Sequence, residues 1–177
     1  MAAFLARVAG AALLDAQTYE EVEADSTATA QSVAVVVLSS VASAIGISGV
    51  LFPDARLLIA YTATALAAWA IWSVLIYLLG VNLLPEPDTR ASVGELVRTT
   101  GFATAPGMLR ALGVIPVAGP AFFVMGSFWM LAAMFVAIRQ ALDYRHITRA
   151  LAVCVVGWLL SLVFVAIIGL ALARPVS

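Results

Sequence analysis

The stretch from Gly94 to Pro120, GELVRTTGFATAPGMLRALGVIPVAGP, is apolar enough to enter a bilayer. Yet it carries Arg98, Arg110, Pro106, Pro116 and Pro120, with glycines at 94, 101, 107, 113 and 119. A plain anchoring helix has no use for such punctuation. In hydrocarbon, broken helix is tolerated only where protein, side chains or water satisfy the freed backbone groups. The breaking positions are Gly101, Pro106, Gly107, Gly113, Pro116, Gly119 and Pro120. The segment is therefore expected inside the protein, with the other segments as its walls.

Composition makes the bilayer the solvent. The chain is 64% hydrophobic and 11% charged over 177 residues, with a mean hydropathy of +1.09. A soluble domain carries about 25% charged residues. All nine basic residues are arginine and the net charge is -1. That balance provides no basic stripe, so nucleic acid is excluded as a partner. Cys154 is the single cysteine, which rules out a disulfide framework within the chain. It reads as a small apolar packing residue.

The fold expected is an all-α integral membrane protein, a five-helix transmembrane bundle with a short N-terminal amphipathic helix. Residues 1–28 read as a cytoplasmic segment, not a signal peptide: the start lacks a basic n-region and places Arg7 where the apolar core should be. Within it, residues 2–17 predict a helix with Phe4, Leu5, Val8 and Ala12 near one side, lying at the membrane surface or docked on the bundle. Five acids between Asp15 and Asp25 read as a solvated face, not a metal site. The membrane domain is expected over 29–174, with spans at 29–51, 57–79, 97–117, 120–138 and 150–172. The third has 21 residues, which at ~1.5 Å each reach ~31 Å, just enough to cross.

Small residues four apart let helix backbones approach closely in lipid. Such pairs are Ser39–Ser43, Ala42–Gly46, Ala133–Ala137 and Gly157–Ser161. Tyr61 and Tyr77 stand near the two ends of the second span, as interface anchors do. Trp69 and Trp72, mid-span, read as packing residues. The polar loop from Asn82 to Thr100 predicts a short amphipathic helix beginning at Asp88 or Thr89 and running through Val93, Leu96 and Val97.

Arginine counting sets the orientation. With five crossings and the N-terminus inside, Arg7, Arg90, Arg98, Arg139, Arg145 and Arg149 are cytoplasmic, against Arg56 and Arg174 outside. If the third segment were re-entrant, Arg110 and Arg174 would join the inside while Arg139, Arg145 and Arg149 moved out, leaving five against four. The five-span arrangement is the better fit.

Reactive constellations are scarce. His146, the single histidine, reads as a solvated loop residue between arginines. No hydroxyl or thiol nucleophile has an evident base, and no GxxxxGK phosphate loop occurs. No cofactor or metal site is expected. Arg110 is the candidate site residue, because a charge within a span is a functional hypothesis by default. Its expected partners are Asp54, a lipid phosphate, or a carbonyl freed by Pro106 or Pro116. The alternative is a structural arginine that snorkels to the interface.

The pattern ELVRTTGFATAPGMLRALGVIPVAG, followed by FWMLAAMFVAIRQAL, resembles the Yip-domain family, and LLDAQTYEEVEAD resembles the opening of its bacterial members. The resemblance covers nearly the whole chain and rests most on Gly101, Phe102 and Pro106 with the turn from Pro116 to Pro120. It implies five spans, a cytoplasmic N-terminus and an extracytoplasmic C-terminus. Eukaryotic relatives bind Rab-type GTPases. Fewer than thirty residues precede the first span here, and the lysine-free composition suits a GC-rich bacterial genome, so a Rab-type GTPase is not expected as a partner. The family supplies no catalytic residues. The function expected is that of a non-enzymatic scaffold or accessory subunit of the inner membrane, in contact with membrane lipids, forming a homo-oligomer or joining a larger complex. The alternative is a small transporter or channel using the broken third span and Arg110.

Overall fold

Asp15 divides the N-terminal segment into two helices, α1 (Ala2–Ala12) and α2 (Ala16–Ala24), in a computed structural model that describes residues 2–172, with side chains through Leu160 and at Val163. The Asp15 carboxylate accepts from the amides of Gln17 and Thr18, so it caps α2 and ends the single helix expected over 2–17. Leu14 takes the left-handed conformation (φ 63°) that the reversal requires. The two helices form a hairpin. The Tyr19 hydroxyl closes it by donating to the Ala11 carbonyl at 3.1 Å, and Arg7 pairs with Asp25 at 2.8 Å.

Asp15, Glu20 and Glu21 are exposed and Glu23 and Asp25 half-buried, while the non-acidic face of α2 is covered. Tyr19 and Val22 are fully buried. Only alternate faces of α2 are acidic; the face bearing Thr18, Tyr19 and Val22 packs on the bundle. Tyr19 and Val22 join Phe102, Ala103, Ala133 and Ala137 in one core cluster.

Four further α-helices make the body. They are α3 (Ala28–Ser48), α4 (Ala55–Tyr77), α6 (Gly119–Ala141) and α7 (Ile147–Leu172), with the shorter α5 (Val93–Phe102) between α4 and α6. Among the described residues, three helical stretches are long and apolar enough to cross a membrane: Ala28–Ser48, Ala55–Leu83 and Gly119–Ala141. The second of these is α4 prolonged by a π-helical turn, Leu78–Leu83. The Tyr144 hydroxyl donates to the carbonyls of Gly80 and Leu84 in and just beyond that turn, at 3.0 and 2.8 Å. Burial pushes the Tyr144 phenol up to about 12, so it stays a donor.

The expected third span is divided, and the division is specific. It is not one helix. α5 begins at a full capping box, in which the Ser92 hydroxyl accepts from the Glu95 amide while the Glu95 carboxylate accepts from the Ser92 amide. The helix therefore starts at Val93, later than Asp88 or Thr89, and continues into the expected span. It stops at Phe102, four residues before Pro106, whose ring would clash with the carbonyl of residue 102 in a continuing helix. A 3-10 helix follows from Ala105 to Val114, with Pro106 in its first turn, where a missing amide costs nothing.

This broken element ascends parallel to α3. Gly101 lies against Ser32, Gly107 against Ser39, and Gly113 against Gly46. The glycines recur every six residues, which is two turns of a 3-10 helix, and their partners every seven, close to two turns of an α-helix. Ten residues of α-helix and ten of 3-10 helix reach about 15 Å plus about 20 Å, because the tighter helix rises faster. α6 then returns antiparallel: Gly126 packs against Leu109 and Arg110, and Met130 lies near Gly107.

Two loops close the end of the bundle nearest α2. Glu86 is buried and accepts from the amides of Arg145 and His146 at 3.0 and 3.3 Å, just ahead of α7. Burial pushes its carboxyl upward, but those amides and the His146 ring outweigh it and hold the carboxyl below its usual value. Arg145 pairs with Asp88 at 2.6 Å. His146 is 75% exposed, with Nδ1 3.2 Å from the Glu86 carboxylate.

Candidate functional site

Arg110 sits on the 3-10 helix, and its side chain lies between α3 and α6. Its Nη1 donates to the Ser43 hydroxyl at 3.2 Å; that hydroxyl donates onward to the Ser39 carbonyl at 2.9 Å. The guanidinium carbon stands 5.4 Å from the centre of the Phe123 ring, within cation–π range. Gly126 makes room for the stem, since a β-carbon there would come within 3.2 Å of Arg110 Cγ. The Nε–H is buried and has no acceptor among the described residues.

The structure decides between the partners expected for Arg110. Asp54 caps α4, accepting from the amides of Arg56 and Leu57 at 2.8 and 3.4 Å. Among the described residues no carboxylate pairs with Arg110. Its polar contact is a serine hydroxyl, not a carbonyl freed by Pro106 or Pro116.

Beside the Phe123 ring lies a cleft of about 260 Å³, walled by Gly46, Ile47, Gly113, Gly119, Phe123 and Val124. Its base is a three-glycine crossing. A β-carbon at Gly46 would overlap the Arg110 carbonyl oxygen, one at Gly113 would stand 2.8 Å from Gly46 Cα, and one at Gly119 would overlap the Gly113 carbonyl oxygen. Pro116 belongs to the turn linking the 3-10 helix to α6, where the Ala118 and Gly119 amides donate to the carbonyls of Pro116 and Ile115. Pro120 occupies the first turn of α6. Gly101, Gly107 and Gly113 thus lie along α3, with Arg110 between the last two.

The small-residue pairs are used inside the chain. Ser39, Ala42 and Ser43 are buried, and Ser39, Ser43 and Gly46 meet the 3-10 helix. Ala133 and Ala137 are fully buried in the core cluster with α2 and α5 residues. Gly157 packs against Trp72 and Ile76 of α4. The side chain of Ser161 and the whole of Arg174 lie outside the described residues.

Three features were missed in the sequence. Arg98, counted only as a cytoplasmic charge, is 9% exposed. Its Nε donates to the carbonyls of Val22 and Glu23 at 3.0 and 3.1 Å, and its Nη2 to Glu23. A guanidinium so placed answers the partial negative charge of the α2 C-terminus. Beside it, α2, α5 and α6 enclose a cavity of about 410 Å³ lined by Glu20, Glu23, Glu95, Arg139 and Asp143. Burial, then the Asp143 and Glu95 carboxylates, push Glu23 up to about 7, against the opposing pull of Arg98. Third, Trp69 Nε1 donates to the Thr100 hydroxyl at 3.1 Å, which lies 2.9 Å from the Ser73 hydroxyl. None of the three had a local signal, because each joins residues distant in the chain.

Comparison with protein-family models, with curated proteins and with solved structures finds no match to this chain.

Proposed function

We propose that this is a non-enzymatic, five-crossing inner-membrane protein that serves as a scaffold or accessory subunit, with its N-terminus in the cytoplasm. The observation that carries this reading is the use made of its ionisable side chains. Asp15 and Asp54 cap helices, Glu86 ties two loops together, Arg7 fixes Asp25, and Arg98 clamps α2. Each holds a helix end or a loop in place. The parallel course of α3 and the broken segment supports a full third crossing, and α7, 26 residues long, supports a fifth. The resemblance to Yip-domain proteins points to the same topology.

Partner surfaces then fall on the apolar outer faces, because the small-residue faces are occupied internally. On α4 alone, Leu57, Ile59, Ile71, Val74 and Leu78 are exposed. Native mass spectrometry after mild extraction is expected to show a homo-oligomer or a defined larger complex. A monomer throughout, at every detergent concentration, would refute the scaffold reading.

Arg110 favours a second reading, in which the membrane interior binds an anion. A transporter needs the site to be reached from both sides. The two cavities lie at opposite ends of the bundle, one against α2 and one at the start of α6, so binding without passage is the form of this reading we favour.

A further inference from the structure

We infer that Arg110 and the three-glycine cleft hold the anionic headgroup of a lipid from the extracytoplasmic leaflet. The leaflet follows from the five-crossing reading above; the binding chemistry does not depend on it.

Depth is the first ground. Ser43, which Arg110 contacts, is five residues from the end of α3, and Gly126 is seven from the start of α6. At the α-helical rise those intervals are about 8 and about 10 Å. The guanidinium therefore sits within a long side chain's reach of the interface where lipid phosphates lie. The second ground is charge. A cation at this depth requires an anionic or strongly polar partner, and the described residues supply one hydroxyl. Asp54, the carboxylate expected to pair with Arg110, is engaged on α4. The third ground is shape. Phe123 underlies the guanidinium and also walls the cleft, so the two are neighbours across that ring. A phosphodiester suits the planar fork of arginine, which grips two oxygens at once. The glycine-floored cleft, nearer the interface than Arg110, gives the headgroup its way in. A modest rotation off Ser43 turns the unpartnered Nε–H toward the same phosphate.

The test uses the full chain in detergent, with retained lipid counted by native mass spectrometry. Phosphatidylglycerol, phosphatidylcholine and inorganic phosphate are the probes. Wild-type protein is expected to hold one phosphatidylglycerol in preference to phosphatidylcholine, and millimolar inorganic phosphate is expected not to displace it. Arg110→Gln is expected to weaken retention about tenfold or more, as loss of a charge-assisted pair does. Arg110→Lys keeps the charge but not the fork, and should fall between. Should Arg110→Gln fail to fold, Phe123→Leu is the second variant; it leaves the charge and opens the apolar wall, and retention is again expected to drop. Equal retention of phosphatidylglycerol by wild type and the folded variant would overturn the inference. So would indifference between the two lipids, and displacement by free phosphate would reassign the site to a soluble anion. None of these results bears on the number of crossings, which is measured separately.

Discussion

Gly46→Ala is expected to lower the melting temperature in detergent by about 6–12 °C, although it adds one carbon. Overpacking a closed site costs typically 1–3 kcal/mol, and here the new carbon meets backbone, which cannot rotate away. The Arg110 carbonyl oxygen occupies the position of the β-carbon. Relief requires moving the 3-10 helix, yet that helix is wedged on its other side by α6 through Gly119 and Gly126. A cost near the top of that range, about 3 kcal/mol, gives the stated shift for a chain of this size. Gly49→Ala is the control. Gly49 ends α3 at φ 68° with open space around it, so alanine there meets only backbone strain of about 1 kcal/mol. A Gly46→Ala protein that melts within 2 °C of wild type would remove the close crossing. The same reasoning applies to bulky residues at Ser39 or Ser43: they should disrupt the fold of one chain before they disturb contacts between chains.

Arg98→Ala is expected to release α2. Hydrogen bonds to a charged group contribute about 1.5–3 kcal/mol, and the guanidinium makes its bonds to two carbonyls at the end of the helix. Hydrogen exchange reads this directly: amides of Thr18–Val22 should exchange about tenfold or more faster, the factor that about 1.4 kcal/mol corresponds to. Exchange in α3 should change little. Protection of α2 should also depend on pH, through Glu23. In the docked state its carboxyl is raised to about 7 from its ordinary 4.5 by burial and by Asp143 and Glu95. The docked state therefore binds more protons between those values, and docking weakens as pH rises through that window. Below it the stabilisation is complete; above it, Glu23 is charged in both states and the burden of a charged carboxylate remains. Corrected for intrinsic rates, protection of α2 should be greater at pH 5 than at pH 8, and Glu23→Gln should flatten the difference by raising the pH 8 value. Equal protection at both pH values in wild type would dismiss the mechanism.

Much of the architecture was legible because hydrophobic length is a strong signal. The helices Ala28–Ser48, Ala55–Tyr77 and Gly119–Ala141 fall within a few residues of the spans read from apolar runs. The third segment announced its break through Pro106, and the four-residue reach of a proline ring locates the stop at Phe102. What it did not announce was the replacement of α-helix by 3-10 helix. The cue was present in Gly107 and Gly113, six apart, which fits two turns of that helix and not of an α-helix. The docking face of α2 went unread because charge was read without periodicity: Thr18, Tyr19 and Val22 share one face, and that face is buried while Asp15, Glu20 and Glu21 stay exposed. Arg98 and Glu86 act through backbone groups distant in the chain, contacts that no local pattern encodes. For Arg110 the sequence supplied the residue and three expected partners; packing removed Asp54 by giving it a helix to cap.

The most direct test of the five-crossing proposal is labelling of Val117→Cys in intact cells with a membrane-impermeant maleimide, in a Cys154→Ala background. Val117 is 99% exposed in the turn before α6 and has a positive φ, which an unbranched cysteine tolerates better than valine. The turn lies at the same end of the bundle as the end of α3, since Gly113 and Gly119 meet there with Gly46. Labelling from outside, without permeabilisation, is the predicted result. Labelling only after the membrane is opened would mean that the third segment does not cross to the outer face, and would contradict the proposed topology.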